Sequence, residues 1–295
     1  HFGCRHPHSR RRHRCICQRA TRPPFVAAGF TEVMAAKIQH TVVFPLKDDA
    51  PAEDIAKLQS IVEKFNQIPG IQASFRPEGG PGMTQAQLFE EVAKCKGAGK
   101  GEGEGKGEGK GKGKGKGKGP RQEGYNHCLM VIADDIPTLK TYLHGDAHKE
   151  WGPNVRPLFQ EGRLPIVFDS DFKLSNVSGG GKIQHTVFYK LEDWDGERQA
   201  KMQEVCDGIS KLEGVSASFA AGGCGGQSID ETCAALDWPN KTGGFTHVLT
   251  VVANDPGCLL SFFQSDGHKG MHDILKQGEE HPLICAMDSE WAITV

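Results

Sequence analysis

The stretch Lys37-Ile-Gln-His-Thr-Val42 recurs letter for letter as Lys182-Ile-Gln-His-Thr-Val187. Four later segments repeat in the same order: Ile68–Phe75 matches Leu212–Phe219, Gly124–Asp135 matches Gly244–Asp255, Asp146–Lys149 matches Asp266–Lys269, and Phe168–Phe172 matches Met287–Trp291. Because this spacing is far longer than the roughly 20–50 residues of solenoid repeats, the pattern indicates duplication of a whole domain. The chain is therefore expected to fold as two copies of one unit.

The repeat also sets the domain boundaries. We assign residues 34–172 to the first domain, 173–181 to a linker, and 182–295 to the second domain. Residues 1–33 begin with a histidine and precede Met34, so we interpret them as a disordered leader or a non-native N-terminal extension. Their arginine-rich, acid-poor composition is also typical of an organelle transit peptide, and that alternative stays open.

Charge is distributed unevenly along the chain. Residues 1–33 carry +6 and residues 97–119 carry +4, whereas the whole chain has a formal net charge of −2. The remainder is therefore acidic, at about −12, which argues against a nucleic-acid partner. No run is long and apolar enough for a membrane span, so we expect no membrane partner either.

Residues 97–119 alternate Gly with Lys or Glu and interrupt only the first copy. Such a segment cannot join a hydrophobic core, so we predict a disordered, low-complexity insertion. The alternation also lacks the strand and following helix that a phosphate-binding loop requires.

The ten cysteines do not recur between the copies: Cys128 corresponds to Val248, and Cys258 corresponds to Thr138. They also lack the Cys-x-x-Cys spacing of zinc and redox sites. We therefore expect reduced, mostly buried thiols in a cytoplasmic protein. A plastid or mitochondrion is the alternative location if residues 1–33 belong to a transit peptide.

Each copy shows the same order of strands and helices. In the first copy, β-branched and aromatic runs predict four strands, at His40–Leu46, Ile71–Phe75, Tyr125–Ala133 and Arg163–Phe168. Apolar spacing predicts a helix over Ala52–Phe65 and an interrupted helix from Pro137 to Phe159. This order is that of the ferredoxin-like β-α-β-β-α-β unit.

Both faces of the predicted strands are apolar, so both faces of each sheet need cover. We therefore predict an α+β fold in which the two ferredoxin-like units pack sheet to sheet as an intramolecular dimeric α/β barrel. Such a chain is a pseudo-dimer and can exist as a monomer.

Histidines are the titratable residues that recur in register inside these apolar segments. The pairs are His40 and His185, His127 and His247, and His148 and His268. A buried imidazole must be hydrogen-bonded or neutral, and its pKa is sensitive to burial. Shared ancestry alone would also preserve such residues, so a structural role stays open beside a functional one.

Two His-x-x-x-His pairs, one beginning at His144 and one at His268, have the spacing that places two imidazoles on one helix face. The second copy has Gln264 at the position that corresponds to His144. The first copy has Gly152 at the position that corresponds to His272, the second histidine of the other pair. Paired ligation is therefore not a property of the repeated unit, and we predict no metal site.

These segments resemble the stress-responsive dimeric α/β-barrel (Dabb) family over nearly all of the chain after Met34. The motifs that carry the resemblance are His40-Thr-Val-Val-Phe44, Ile68-Pro-Gly70, Gly124-Tyr-Asn-His127 and Tyr142-Leu-His-Gly-Asp-Ala-His148. The resemblance implies the barrel fold described above, and many members of the family have no assigned reaction. No cofactor-binding motif is present, so no cofactor is expected.

One relative in this family, a plant polyketide cyclase, uses such a barrel for a cofactor-free aldol cyclisation. By that resemblance His148 would be the base, Tyr142 the acid or oxyanion donor, and His40 and His127 ligand-binding residues. The second copy offers the corresponding ligand-binding positions His185, His247, Phe262 and His268. Phe262 stands where the first copy has its tyrosine, so the second pocket lacks the hydroxyl.

Two functional hypotheses follow. The favoured one is a stress-response barrel-domain protein that binds a small hydrophobic ligand or acts as a stable scaffold, with no reaction assigned. The alternative is a cofactor-independent, polyketide-cyclase-like lyase that uses His148 and Tyr142 in the first domain on a polyketide-like ligand. The sequence leaves open whether the chain is an enzyme.

Overall fold

The computed structural model describes residues 37–98, 124–174, 177, 179–276 and 283–293. The predictions for residues 1–33 and for most of the Gly-Lys insertion, residues 99–119, lie outside the described residues.

The first repeat contains six strands, of which β3 and β4 form a small hairpin, and four helices. In chain order they are β1 (Ile38–Phe44), α1 (Ala52–Phe65), β2 (Ile71–Pro77), β3 (Gly79–Gly80), β4 (Met83–Thr84), α2 (Gln85–Ala98), β5 (His127–Ala133), α3 (Ile136–His144), α4 (Asp146–Val155) and β6 (Ile166–Asp171). A short 3-10 turn at Arg156–Leu158 follows α4. The helix predicted over Ala52–Phe65 is confirmed, and the predicted interrupted helix is the α3–α4 pair.

The second repeat has the same order without the small hairpin. Its elements are β7 (Lys182–Lys190), α5 (Gly196–Ile209), β8 (Val215–Ala221), α6 (Ile229–Leu236), β9 (His247–Ala253), α7 (Pro256–Gln264), α8 (Asp266–Leu275) and β10 (Leu283–Trp291). Helices α2 and α6 are absent from the sequence prediction, which placed no helix between the second and third strands of either copy.

Each repeat forms a four-stranded antiparallel sheet. The strand orders are β2-β5-β1-β6 and β10-β7-β9-β8. In both sheets the first and third core strands lie in the centre, as the ferredoxin-like unit requires. The predicted α+β fold is therefore confirmed.

The first and last predicted strands of the first copy are displaced, the first from His40–Leu46 to Ile38–Phe44. The strand expected at Arg163–Phe168 instead spans Ile166–Asp171, because Pro165 has no N–H to donate to a ladder and lies just before the strand. The shift matters for the site, since it places Asp169 inside the strand and directly opposite His40 of β1.

Side chains alternate between two buried faces along these strands. In β1, Ile38, Val42 and Phe44 face the helices, whereas Val43 faces the other sheet. The space between the sheets is filled by apolar clusters that draw on both repeats, and Phe168 packs 5.6 Å from Phe188 between ring centroids. Buried side chains of both repeats therefore pack together between the two sheets.

A polar layer crosses the same interior. Gln39 donates from Nε2 to Thr41 Oγ1 and to Thr250 Oγ1 of the second sheet, each at 3.0 Å. Gln184, the counterpart of Gln39, donates to Thr186 at 2.6 Å. Buried amides need such partners, and the bond to Thr250 joins the two sheets directly.

The sheet edges also meet, which closes the barrel within one chain. Glu78 bridges to Ser289 at one edge, and Ser170 bridges to Gly223 at the other. Arg76 lies 3.0 Å from the Glu290 carboxylate across the first of these edges. The two sheets therefore pack face to face and join at their margins.

Helices α2 and α6 each cross to the opposite repeat. Leu88 of α2 is buried in the core of the second repeat, and Leu236 of α6 in that of the first. The crossing turns begin at Gly79 and Gly223, whose φ values are 134° and 101°. A Cβ at either glycine would strike the backbone carbonyl of the returning turn. Each repeat is therefore completed by a helical arm from the other.

Of the seven described cysteines, four are buried and only Cys95 is exposed. This agrees with the expectation that most of the thiols are buried. Among the described helices, none has the length and apolar character needed to cross a membrane.

Candidate functional site

A cavity of about 990 Å³ lies in the first repeat, on the helix-facing side of its sheet. Its walls come from β1, β5, β6, α3 and α4, and from residues 238–243 of the second repeat, which follow the crossing helix α6. The inner part contains His40, Tyr142 and His148, and the outer part contains the exposed side chain of Leu164. The size is at the upper end of ordinary small-molecule sites.

His40 and Asp169 form a buried pair at the inner end of this cavity. Nδ1 of His40 lies 2.7 Å from Oδ1 of Asp169, and the two side chains are 2% and 10% exposed. In the neutral imidazole, a carboxylate at Nδ1 selects the tautomer with the proton on that nitrogen. Nε2 is then left as an acceptor.

Tyr142 lies beside this pair and is completely buried. Its hydroxyl has no hydrogen-bond partner within the described structure, although it lines the cavity. Burial raises the pKa of the Tyr142 hydroxyl far above its usual range, and the Asp169 carboxylate adds to the rise. The hydroxyl therefore stays protonated and can donate to a molecule in the cavity.

His148 lies in the first turn of α4 and packs against Tyr142, with ring centroids 5.1 Å apart. Burial lowers the pKa of His148 to about 4, and electrostatic interactions with His40, Lys241 and His144 lower it further. A hydrogen bond to the carbonyl of Leu143 partly opposes this drop in the pKa. At neutral pH the imidazole is therefore uncharged, with one nitrogen fixed by that carbonyl.

Local sequence explains why these side chains converge. The side chain of Asp135 accepts from the backbone N–H of Thr138 at 2.8 Å and so begins α3, with Pro137 in its first turn. The chain then breaks at Gly145, where an extended residue separates α3 from α4. This break lets Tyr142 and His148 face the sheet from different helices.

The arrangement can support proton transfer. His40 and Tyr142 have ring centroids 5.8 Å apart, so three groups able to exchange protons border one cavity. A neutral imidazole can accept a proton, and a protonated phenol can stabilise a developing oxyanion.

The second repeat has the same His–Asp pair in a different setting. Nδ1 of His185 lies 2.8 Å from Oδ1 of Asp288, and Gln85 of the crossing α2 arm donates to the other carboxylate oxygen at 2.8 Å. Phe263 lies 5.2 Å from the His185 ring and 5.5 Å from the ring of His268. Aromatic side chains therefore crowd the pair.

Phe262 and His268 complete this second cluster. Their rings are 4.9 Å apart, and Phe262 is completely buried. Burial lowers the pKa of His268 to about 4, with smaller contributions from the charges of His272 and His185. His185, Phe262 and His268 line neither the large cavity nor the much smaller one beside Asp169.

His127 and His247 are brought into neither cluster. His127 stacks on Phe75 with centroids 5.2 Å apart, and His247 stacks on Phe219 at 5.3 Å. Burial lowers the pKa of each histidine to about 4. Neither lines the large cavity, and each packs on a phenylalanine of the neighbouring strand.

His144 has a structural contact instead of a ligand partner. Its Nε2 lies 2.8 Å from the carbonyl of Leu236, and Lys140 donates to the carbonyl of Ala235 at 3.0 Å. Both residues therefore hold the C-terminal end of the crossing helix α6. Among the described residues, no group of three metal-binding side chains comes together.

Two residues of the site are missing from the sequence prediction. Asp169 had a signal, because Asp-Ser recurs in register at Asp169 and Asp288, but the predicted strand ended one residue too early to pair it with His40. Trp238 had no comparable signal. It reaches His148, at 5.3 Å between ring centroids, only because α6 crosses to the first repeat.

The comparisons with known proteins concern overall structure. No family model and no curated protein matches the chain. It is similar to the solved structure of a candidate monooxygenase from Lactobacillus acidophilus, with 8% sequence identity, coverage of 88% of this chain and 96% of that chain, and a TM-score of 0.49. A candidate monooxygenase from Fusobacterium nucleatum is similar with 10% identity, coverage of 88% of this chain and 94% of that chain, and a TM-score of 0.48. A dimeric ferredoxin-like protein of unknown function from Bacteroides fragilis is also similar, with 16% identity, coverage of 46% of this chain and 96% of that chain, and a TM-score of 0.28. At such identities and TM-scores these likenesses carry no argument about function.

Proposed function

We propose that this chain is a barrel-domain protein that binds a small, mainly apolar molecule in the first-repeat cavity. The observation that carries the proposal is a cavity of about 990 Å³ whose wall holds the unpartnered Tyr142 hydroxyl. A buried polar group without a partner is costly, and a bound molecule that accepts its hydrogen bond would offset that cost. Membership of the stress-responsive Dabb family is part of the proposal and rests on the sequence motifs.

A cavity-filling substitution tests the binding proposal. Gly152 lines the cavity, and a Cβ placed on it meets no atom within 4 Å. We expect Gly152→Leu to weaken binding of the uncharged probe pyrenecarboxamide by about tenfold or more, because the leucine occupies the probe's volume. Fluorescence titration of the probe measures the change.

The matched control is Gly208→Leu. Gly208 is also a helical glycine with open space at its Cβ position, but it lies in α5 of the second repeat. It should leave probe binding unchanged. Equal affinity of the wild type and the Gly152→Leu protein, or no binding to either, would contradict the proposal.

A second candidate function is cofactor-independent lyase or cyclase chemistry on a β-dicarbonyl or polyketide-like substrate. The proximity of the neutral His148 to the protonated Tyr142 favours it. His148 would remove the acidic proton between two carbonyls, and Tyr142 would donate to the resulting oxyanion. The His40–Asp169 pair would orient the substrate from the opposite wall.

Turnover of such substrates by the wild type, His148→Ala and Tyr142→Phe separates the two candidates. The catalytic proposal expects both variants to lose rate by about 100-fold or more. Phe262→Leu, at the corresponding position of the second repeat, is the control and should retain turnover. Equal rates in all four proteins would leave binding as the function.

A further inference from the structure

We propose that the molecule bound in the first-repeat cavity carries a carboxylate or a similar anionic group, held at the mouth by Lys241 and Arg156. This inference rests on the proposed binding function and names the chemical class of the ligand. The cavity then offers the ligand two surfaces, an apolar wall for the body of the molecule and a cationic mouth for its charge.

The mouth contains a cluster of positive charge. Arg156, Arg163 and Lys241 all line the cavity and are exposed to solvent. Among the described residues that line it, none is Asp or Glu. Neither Lys241 nor Arg156 makes an ion pair with a described residue. In an otherwise acidic chain, this local excess of cations favours an anion.

Lys241 is held in place rather than free on a loop. Its backbone carbonyl accepts from the N–H of Val167 in β6 at 3.0 Å, which attaches the second-repeat segment to the first-repeat sheet. Its Nζ lies 4.6 Å from the centre of the Trp238 ring. Partial burial and the charge of Arg156 both lower the pKa of Lys241, so an anion between them would relieve an existing repulsion.

Two unpartnered donors in the cavity wall support the same ligand class. Of the three buried polar side-chain atoms without a partner in the described structure, two belong to the wall, the Tyr142 hydroxyl and the indole Nε1 of Trp238. The indole N–H can only donate, and the protonated phenol can donate as well. Both therefore suit a ligand rich in acceptor oxygens.

The apolar wall sets the remaining chemistry of the ligand. Trp151, Phe159 and Val155 line the cavity, and Leu164 extends the apolar surface to the mouth with 75% of its side chain exposed. The hydroxyl of Tyr125 donates to the carbonyl of Leu164 at 3.2 Å and keeps that segment beside the opening. The ligand is therefore amphipathic, with an apolar body and an anionic end.

The test compares pyrenecarboxylate with the uncharged pyrenecarboxamide in fluorescence titrations at low ionic strength. We expect the wild type to bind the carboxylate about tenfold more tightly, since a desolvated anion gains from two nearby cations. In the Lys241→Gln/Arg156→Gln double variant, the two probes should bind within about twofold of each other. Added salt should reduce the wild-type preference.

Lys276→Gln is the matched control. Lys276 occupies the position of Arg156 in the second repeat and pairs with Asp273 at 3.0 Å. It should leave the carboxylate preference intact. If the wild type binds both probes equally, or the preference survives in the double variant, the anion inference is overturned while the binding function stands. If the wild type binds neither probe, both proposals fail.

Discussion

The two repeats place the same pair, a histidine and an aspartate on adjacent strands, in contrasting surroundings. In the first, His40 lines a cavity of about 990 Å³, and its partner Asp169 borders a much smaller pocket. In the second, His185 and Asp288 contact Gln85 and the ring of Phe263. The two repeats have the same backbone fold and the same His–Asp pair. The open site and the packed site therefore differ in the volume of the surrounding side chains and in the crossing arms.

Two positions illustrate the volume difference. Leu143 of the first repeat corresponds to Phe263 of the second, and Gly152 corresponds to His272. The His272 ring lies 4.8 Å from that of His268, whereas a Cβ at Gly152 would meet nothing within 4 Å. A duplicated fold can therefore retain one site and fill its copy through a few larger side chains.

The largest expected effect is acid destabilisation shared by both repeats. Burial lowers the pKa of His127, His148, His247 and His268 from an ordinary value of 6.5 to about 4. Between these pH values the unfolded chain binds more protons, so stability present above pH 6.5 is lost as the pH falls towards 4. Each of His127, His148 and His247 contributes up to about 3 kcal/mol to this loss, and the more exposed His268 contributes less because solvent screens its charge.

Urea unfolding at a series of pH values measures this loss. His127→Phe and His247→Phe replace the two stacked imidazoles. Each substitution should reduce the pH dependence of the free energy of unfolding by a similar amount. If only one of the two substitutions reduced the pH dependence of stability, the two histidine positions would not be equivalent.

The next effect concerns the two aspartates. Asp288→Asn should lower the free energy of unfolding by about 3 kcal/mol, because it weakens a pair that is buried and also bonded to Gln85. Asp169→Asn should cost less, about 1–2 kcal/mol, since its side chain is more exposed than that of Asp288 and borders a small pocket. Chemical denaturation of both variants gives the comparison, and a larger cost for Asp169→Asn would reverse the assignment of packed and open sites.

The smallest effect comes from exchanging the aromatic residues. Phe262→Tyr should destabilise by about 1–2 kcal/mol, because the added hydroxyl enters a packed cluster. Tyr142→Phe should be neutral or stabilising by about 1 kcal/mol, because it removes a hydroxyl without a protein partner. Thermal unfolding of the ligand-free proteins measures both changes in stability. Changes of opposite sign for the two substitutions would support the contrast between the packed second repeat and the open first one.

Much of the fold could be predicted from the sequence because its signals are local. The spacing of Leu58, Ile61 and Phe65 defines α1. In β1 and β5, apolar residues occur at both odd and even positions, so both faces of the sheet must be buried. The crossing helices escaped prediction. Helix α6 has only eight residues, and its main apolar contacts lie in the opposite repeat.

The site was predictable only in part. His40, Tyr142 and His148 were identified from the sequence, and the structure brings them together around one cavity. Their chemical roles and their ligand remain proposals. His127 was grouped with them because it recurs in register, but its repeated stacking on a phenylalanine explains the recurrence equally well.

The sequence alone determined that the chain is a duplicated ferredoxin-like unit, since repeated order and apolar periodicity are properties of the chain itself. Tertiary structure decided that Asp169 meets His40 and that Trp238 and Lys241 of the second repeat complete the cavity of the first. The physical reason is distance along the chain. Asp169 lies 129 positions from His40, and Trp238 lies 90 positions from His148, so only the packing of sheets and crossing helices brings them together.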